Sequence, residues 1–84
     1  MINIILNKNE NRAIALDKDV KIGECVYEEN NNIINIVHTG VESDYQGQGI
    51  ARRLVNLVID YSKKENKKVV ATCSYAKKIL EDNK

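Results

Sequence analysis

The chain has 84 residues, of which 43% are hydrophobic and 30% charged, and its formal net charge at pH 7 is +1. This composition is typical of one globular domain over residues 1–84 and excludes a fibrous or disordered protein, while the near-neutral charge gives no reason to expect nucleic acid. The apolar runs are too short to span a bilayer and the N-terminus lacks the features of a signal peptide, so we expect a cytoplasmic protein without membrane association.

The charge and the cysteines are unevenly spread along the chain. Residues 1–42 carry a net charge of −3 and residues 43–84 a net charge of +4. The basic excess would suit an anionic cofactor, although a solvated basic face explains it more simply. Cys25 and Cys73 have no further Cys or His near them at the spacing of metal ligands, so we expect two free thiols and no metal site.

The first half of the chain alternates between short apolar segments and polar, Asn-rich turns. This pattern predicts an antiparallel meander of four strands, at residues 2–6, 12–16, 21–28 and 33–39. Within the third strand, the alternation of a β-strand places Ile22 and Cys25 on opposite faces.

The second half predicts a helix, a strand and a short helix. Apolar residues recur at helical spacing over residues 49–64, and the stripe they form is broad enough to require packing on a sheet. Residues 69–72 form a fifth strand and residues 75–80 a short amphipathic helix. A right-handed crossover makes the fourth and fifth strands parallel neighbours, so the predicted class is α+β, a mostly antiparallel sheet with one parallel pair.

A glycine-containing loop joins the fourth strand to the long helix. Gly47 and Gly49 leave the first N–H groups of the helix without bulky side chains around them, and the helix dipole is positive at this end. Such a helix start is suited to a pyrophosphate. A P-loop is excluded because no Lys-Ser or Lys-Thr follows Gly49, and a dinucleotide fingerprint is excluded because Arg52 occupies the position of its third glycine.

The loop does match the pattern Q/R-x-x-G-x-G/A, as Gln46-Gly47-Gln48-Gly49-Ile50-Ala51. Two further motifs flank it in order, His38-Thr39-Gly40-Val41 before the loop and Cys73-Ser74-Tyr75 after the fifth strand. On these motifs the chain resembles the GNAT superfamily of acyl-CoA-dependent N-acetyltransferases, and especially its very small single-domain members.

The resemblance implies a GNAT-like fold, acetyl-CoA as cosubstrate and an unidentified amine, small molecule or protein, as acceptor. It implies that the fourth and fifth strands splay apart and that the pantetheine arm enters the gap. The backbone around Val37 and Thr39 would bind the arm, and the loop amides would bind the pyrophosphate. Arg52 or Arg53 would reach the ribose phosphate, or both are exposed to solvent on the outer face of the helix. The implied cofactor-binding residues are Val37, His38, Thr39, Val41, Gln46, Gly47, Gln48, Gly49, Ile50, Ala51 and Arg52.

Acyl transfer to an amine needs a base, donors for the carbonyl oxygen and an acid for the departing thiolate. Many GNAT enzymes use a Glu on the fourth strand and a Tyr after the fifth, and the resemblance places His38 and Tyr75 near these positions. Imidazole takes up a proton near neutral pH, although a single His is as often structural. Cys73 would be a nucleophile that accepts the acyl group if His38 or the following helix lowers its pKa. Otherwise Cys73 would be a small buried hydrophobic residue.

Three functional hypotheses follow. The first is an N-acyltransferase that uses His38, Cys73 and Tyr75. The second is a module that binds acetyl-CoA with little or no transfer, since the N-terminal helices that usually build the acceptor site in GNAT enzymes are missing from the sequence. The third is a small structural partner protein that binds no nucleotide.

Overall fold

A computed structural model describes residues 1–82 of the chain, and residues 83–84 of the expected domain lie outside the described part. The elements are β1 (Ile2–Asn7), β2 (Arg12–Asp17), β3 (Val20–Glu29), β4 (Ile33–Val41), α1 (Ile50–Lys64), β5 (Lys68–Ala71) and α2 (Ser74–Asp82). Every predicted strand and helix is present, with boundaries that differ by one or two residues. None of the helices in residues 1–82 is long and apolar enough to cross a membrane.

The five strands form one sheet in the order β1-β2-β3-β4-β5. The first four are antiparallel, and β4 and β5 are parallel, which confirms the predicted α+β class. The apolar stripe of α1 is as broad as the sequence indicated. A stripe of this breadth must be buried, and α1 therefore packs on one face of the sheet. The residues at the centre of this core are Ala13, Ala15, Cys25, Tyr27, Ile34, Ile36, Leu54, Val55, Val58 and Ile59.

One side-chain placement predicted from alternation is wrong. Ile22 was expected opposite Cys25, but both are buried in the same core. The pairing of β3 with β2 passes from Gly23 to Lys21 and skips Ile22, so Ile22 is the extra residue of a β-bulge. A bulge shifts the alternation of the strand by one position, and Ile22 therefore joins the buried residues.

A second bulge lies in β4, at Val37. The pairing of β4 with β3 passes from Ile36 to His38 and skips Val37. Beyond this point the side chains of β4 have exchanged faces relative to a regular strand. The bulge therefore decides on which face of the sheet the His38 and Thr39 side chains lie.

The parallel pairing of β4 with β5 ends at the same level as this bulge. Its last pair is Ile36 with Ala71. The N–H groups of Thr72 and Cys73 then both donate to the Ile36 carbonyl oxygen, at 3.1 and 3.2 Å, as the chain turns away into α2. Because β4 continues without β5 as far as Val41, its edge is free there, and this is the splay that the resemblance implied.

A polar cluster joins β3 to the C-terminal end of α1 at the opposite end of the sheet. The Glu29 carboxylate accepts hydrogen bonds from the Tyr61 hydroxyl at 3.0 Å and from Lys67 Nζ at 2.5 Å. The Lys67 hydrogen bond, with that of Tyr61, lowers the pKa of Glu29 despite its partial burial. Burial and the Glu29 carboxylate raise the pKa of Tyr61 to about 12.

This cluster predicts a pH dependence of stability. A carboxylate whose pKa is lower in the folded than in the unfolded protein stabilises the fold above its unfolded pKa, and this contribution is lost as the pH falls through the folded pKa. We expect the free energy of unfolding of the wild type, measured by urea titration, to decrease more steeply below about pH 4.3 than that of Glu29→Gln. The variant Glu28→Gln changes the neighbouring exposed carboxylate. Its free energy of unfolding should depend on pH as steeply as that of the wild type. Equal slopes in all three proteins would contradict the prediction.

Candidate functional site

The N-terminus of α1 is built by two glycines in the left-handed conformation. Gly47 has φ +83° and Gly49, the N-cap residue, has φ +79°, values that other residues adopt only with strain. A Cβ on either glycine would meet no atom within 4 Å, so the space in front of the loop is open. The first hydrogen bond of the helix runs from the Arg53 N–H to the Gly49 carbonyl, and the preceding N–H groups have no acceptor within the helix.

Two side chains fix this loop to the end of the sheet. Gln46 Nε2 donates to the Val41 carbonyl oxygen at 3.1 Å. The Tyr45 hydroxyl donates to Asp17 Oδ2 at 2.5 Å, which ties the loop to the end of β2. The N-terminus of α1 is therefore held beside the free edge of β4.

A groove of about 460 Å³ lies between the end of β4 and the start of α1. Its lining residues are Thr39, Gly40, Val41, Tyr45, Gln46, Gly47, Gly49, Ile50, Ala51 and Tyr75. Most residues predicted to bind the cofactor are thus brought together, and Tyr75 joins them from α2. Gly40 and Tyr45 also line the groove but were not among the predicted cofactor-binding residues, although both lie inside the strand and loop segment that carries the motif.

The remaining predicted cofactor residues do not line this groove. Val37 is half-buried at the bulge, and the Gln48 side chain is exposed. Arg52 is exposed on the outer side of α1, where its Nη2 lies 3.9 Å from Asp82 Oδ2. The alternative stated for Arg52, exposure on the outer face of the helix, is what the structure shows.

His38 lies on the face of the sheet that α1 does not cover. Its side chain is 60% exposed, and Nε2 lies 3.8 Å from Glu24 Oε2. The Glu24 carboxylate is held by Lys21 and Arg12, at 2.9 and 2.6 Å, and these hydrogen bonds lower its pKa against partial burial. A second groove, of about 310 Å³, opens beside His38 and shares Gly40 with the first groove.

The structure corrects the expectation that His38 lies beside Cys73. The Thr39 hydroxyl contacts the Cys73 thiol, at 3.7 Å between Oγ1 and Sγ. Consecutive side chains of a strand point to opposite faces, so the neighbouring His38 imidazole is on the other face of the sheet from Cys73. His38 is not among the groups that change the pKa of Cys73.

Cys73 immediately precedes α2, so its thiol lies beside the first N–H groups of that helix. Partial burial acts to raise the pKa of Cys73, but the polar groups around the thiol, the Ala76 N–H first and then the Thr39 hydroxyl, favour the thiolate and outweigh it, so the pKa is lowered from its ordinary value of 9.0. A thiolate at a helix N-terminus is stabilised in this way. Of the two sources considered for a lower pKa, the helix rather than His38 is the one present.

Cys25 has the opposite environment although it is close by. Its side chain is fully buried, and Thr39 Oγ1 donates to Cys25 Sγ at 3.6 Å. Burial raises the pKa of Cys25 to about 11. The two thiols therefore differ: the pKa of Cys73 is lowered, whereas that of Cys25 is raised.

Comparison with known proteins agrees with this geometry. The profile of the family described as GCN5-related N-acetyl-transferase matches residues 12–84. The chain belongs to this family. The GNAT resemblance inferred from the loop motif is thereby confirmed.

Individual proteins show how far the similarity extends. Protein NATD1 of Mus musculus is 30% identical over 81 residues, which is 96% of this chain and 66% of the mouse protein, so the chain spans slightly less than two thirds of that relative. The solution structure of a GCN5-like protein from Staphylococcus aureus is 34% identical, with a TM-score of 0.72 over 96% of this chain and 79% of that one.

A GNAT family acetyltransferase from Elizabethkingia anophelis has been solved with acetyl-CoA bound. It is 23% identical to this chain, with a TM-score of 0.67, and the match covers 86% of this chain and 50% of the Elizabethkingia chain. At this identity the likeness shows a shared fold. The fold of this chain thus occurs in a protein that has been solved with acetyl-CoA bound.

The contrast between the two thiols gives a direct prediction. At pH 7.5 iodoacetamide should add one label per chain, on Cys73, because the reagent reacts with thiolates and Cys25 is both buried and hard to ionise. Intact-mass spectrometry should find the label retained in Cys25→Ala and absent in Cys73→Ala. Labelling of native Cys25 at a comparable rate would show that the burial described for it is wrong.

Proposed function

We propose that this GCN5-related chain binds acetyl-CoA in the groove beside β4 and transfers the acetyl group to an amine. The observation that carries the proposal is the uncapped start of α1, with two left-handed glycines facing an open groove. Unpaired N–H groups and the positive end of a helix dipole attract phosphate groups. The acetyl-CoA bound to the Elizabethkingia relative supports the choice of this anion.

The free edge of β4 is suited to the pantetheine arm. The Glu42 N–H donates to the Ile22 carbonyl of β3 at 2.8 Å. Because alternate residues of an antiparallel strand direct their backbone groups to the same neighbour, Thr39 and Val41 direct theirs away from β3 and into the gap. In this proposal the amide groups of the arm therefore pair with Thr39 and Val41, as an added strand would.

In this proposal the transfer runs through a covalent intermediate on Cys73, which does not itself line the groove but contacts the lining residue Thr39. The Cys73 thiolate attacks the thioester carbonyl, a carbon–sulfur bond to Cys73 forms, and the bond to the CoA sulfur breaks. Tyr75, which is 42% exposed and lines the groove, donates a proton to the departing CoA thiolate. An amine then attacks the acetyl group on Cys73, which releases the Cys73 thiolate again.

His38 serves the acceptor in this proposal. It lies by the second groove, which opens on the uncovered face and shares Gly40 and Val41 with the first. A neutral imidazole takes the proton that the amine loses when it is acylated. Cofactor and acceptor thus approach the end of β4 from opposite faces of the sheet.

Binding is tested with Gly49→Ala. An alanine at φ +79° is strained, and its methyl group enters the open space in front of the helix. We expect about a tenfold weaker affinity for acetyl-CoA by calorimetry, which corresponds to about 1–2 kcal/mol. Ser43→Ala, an exposed change in the preceding turn, should bind as the wild type does. No heat with acetyl-CoA or CoA for the wild type would overturn the proposed function.

Transfer is tested by intact-mass spectrometry after incubation with acetyl-CoA. We expect one acetyl group on Cys73, which is absent in Cys73→Ala, retained in Cys25→Ala, and removed by added amine. Tight binding without label or acetylated product would instead identify an acetyl-CoA-binding module.

A further inference from the structure

Side chains from β3, from β4 and from the segment that follows β5 form one chain of contacts beneath the groove. Cys73 Sγ lies 3.7 Å from Thr39 Oγ1, and Thr39 Oγ1 lies 3.6 Å from Cys25 Sγ. Cys25 and Thr39 are direct partners in the pairing of β3 with β4, and Cys73 follows β5 on the other side of β4. The Thr39 hydroxyl therefore sits between the two thiols.

A hydroxyl has one proton to donate, and it rotates towards the better acceptor. When Cys73 is a neutral thiol, its S–H donates to Thr39, and the Thr39 O–H donates to Cys25, as the structure shows. When Cys73 is a thiolate it can only accept, and a hydrogen bond to an ionised group is stronger than one to a neutral thiol. The Thr39 O–H then donates to Cys73, and the Cys25 S–H donates to Thr39 Oγ1.

We infer that Thr39 is a positioning residue whose hydroxyl switches from Cys25 to Cys73 when Cys73 loses its proton, so that the nucleophile is held as a thiolate. Cys25 keeps the hydroxyl hydrogen-bonded in both states. The attack of the Cys73 thiolate on acetyl-CoA rests on the proposed function, whereas the formation of the thiolate does not. Thr39 would then serve the site twice, by its backbone towards the cofactor and by its side chain towards the nucleophile.

Few other ionisable groups of residues 1–82 face Cys73. The neighbouring titratable side chains are Cys25 on β3 and Tyr75 on α2. Glu24 and His38 lie on the opposite face of the sheet. Arg52 of α1 is directed to Asp82. Thr39 and the N–H groups at the start of α2 are therefore the groups that decide how readily Cys73 ionises.

The test is the rate of Cys73 alkylation by iodoacetamide as a function of pH, followed by intact mass without nucleotide. Thr39→Val removes the hydroxyl and keeps the branched shape, and we expect the midpoint of the rate profile to rise by about one pH unit. Thr39→Ser should restore the wild-type midpoint. Thr72→Val, which removes the hydroxyl of the exposed residue next to Cys73, is the matched control and should leave the midpoint unchanged.

A purely structural role for Thr39 would lower stability without moving this midpoint. An unshifted midpoint in folded Thr39→Val, or failure of Thr39→Ser to restore it, would overturn the inference. If Thr39→Val does not fold, Thr39→Ala removes the same hydroxyl without the added methyl group. Because no acetyl-CoA is present, failure of this test is distinct from failure of the proposed function, which calorimetry reports separately.

Discussion

The whole site depends on the place where β4 loses its parallel partner. The bulge at Val37 and the last β4–β5 pair, at Ile36, lie at the same level, and both N–H groups that follow β5 are taken by the Ile36 carbonyl. Backbone N–H and C=O groups of a strand need partners. The free edge of β4 from Thr39 to Val41 is therefore a region where an extended ligand with amide groups gains hydrogen bonds, and the groove lies along it.

The position of α1 follows from its packing. A broad apolar stripe fixes the helix across the sheet, and this leaves little freedom in where its N-terminus lies. The loop contacts of Gln46 and Tyr45 then hold the two left-handed glycines beside the free edge. Unpaired N–H groups at a helix start are common, but here they face the same groove as the part of β4 that has no neighbouring strand on this side. Their joint placement distinguishes this helix start from an ordinary one.

The alternation of side chains along β4 divides the chemistry between the two faces of the sheet. Thr39 faces the core side with the two thiols, while His38 faces the open side with Glu24. An imidazole and a thiol on opposite faces cannot form a dyad, so the proposed function assigns each of them to a different reactant. The lower pKa of Cys73 accordingly comes from hydrogen bonds of backbone and hydroxyl groups rather than from an imidazole.

The order of strands and helices, the parallel last pair and the open, glycine-built start of α1 were determined by the sequence itself. They follow from local rules: polarity periods define the elements, the crossover rule orients β5, and glycines at a helix start leave its amides open. Only the tertiary structure decided on which face of the sheet individual side chains lie. Each bulge adds one residue to a strand and exchanges its faces, and nothing in the local sequence marked Ile22 or Val37 as the extra residue. The Thr39 contact with both thiols also required the structure, because it joins residues of β3, of β4 and of the segment after β5, which are distant in the sequence and adjacent only in the fold.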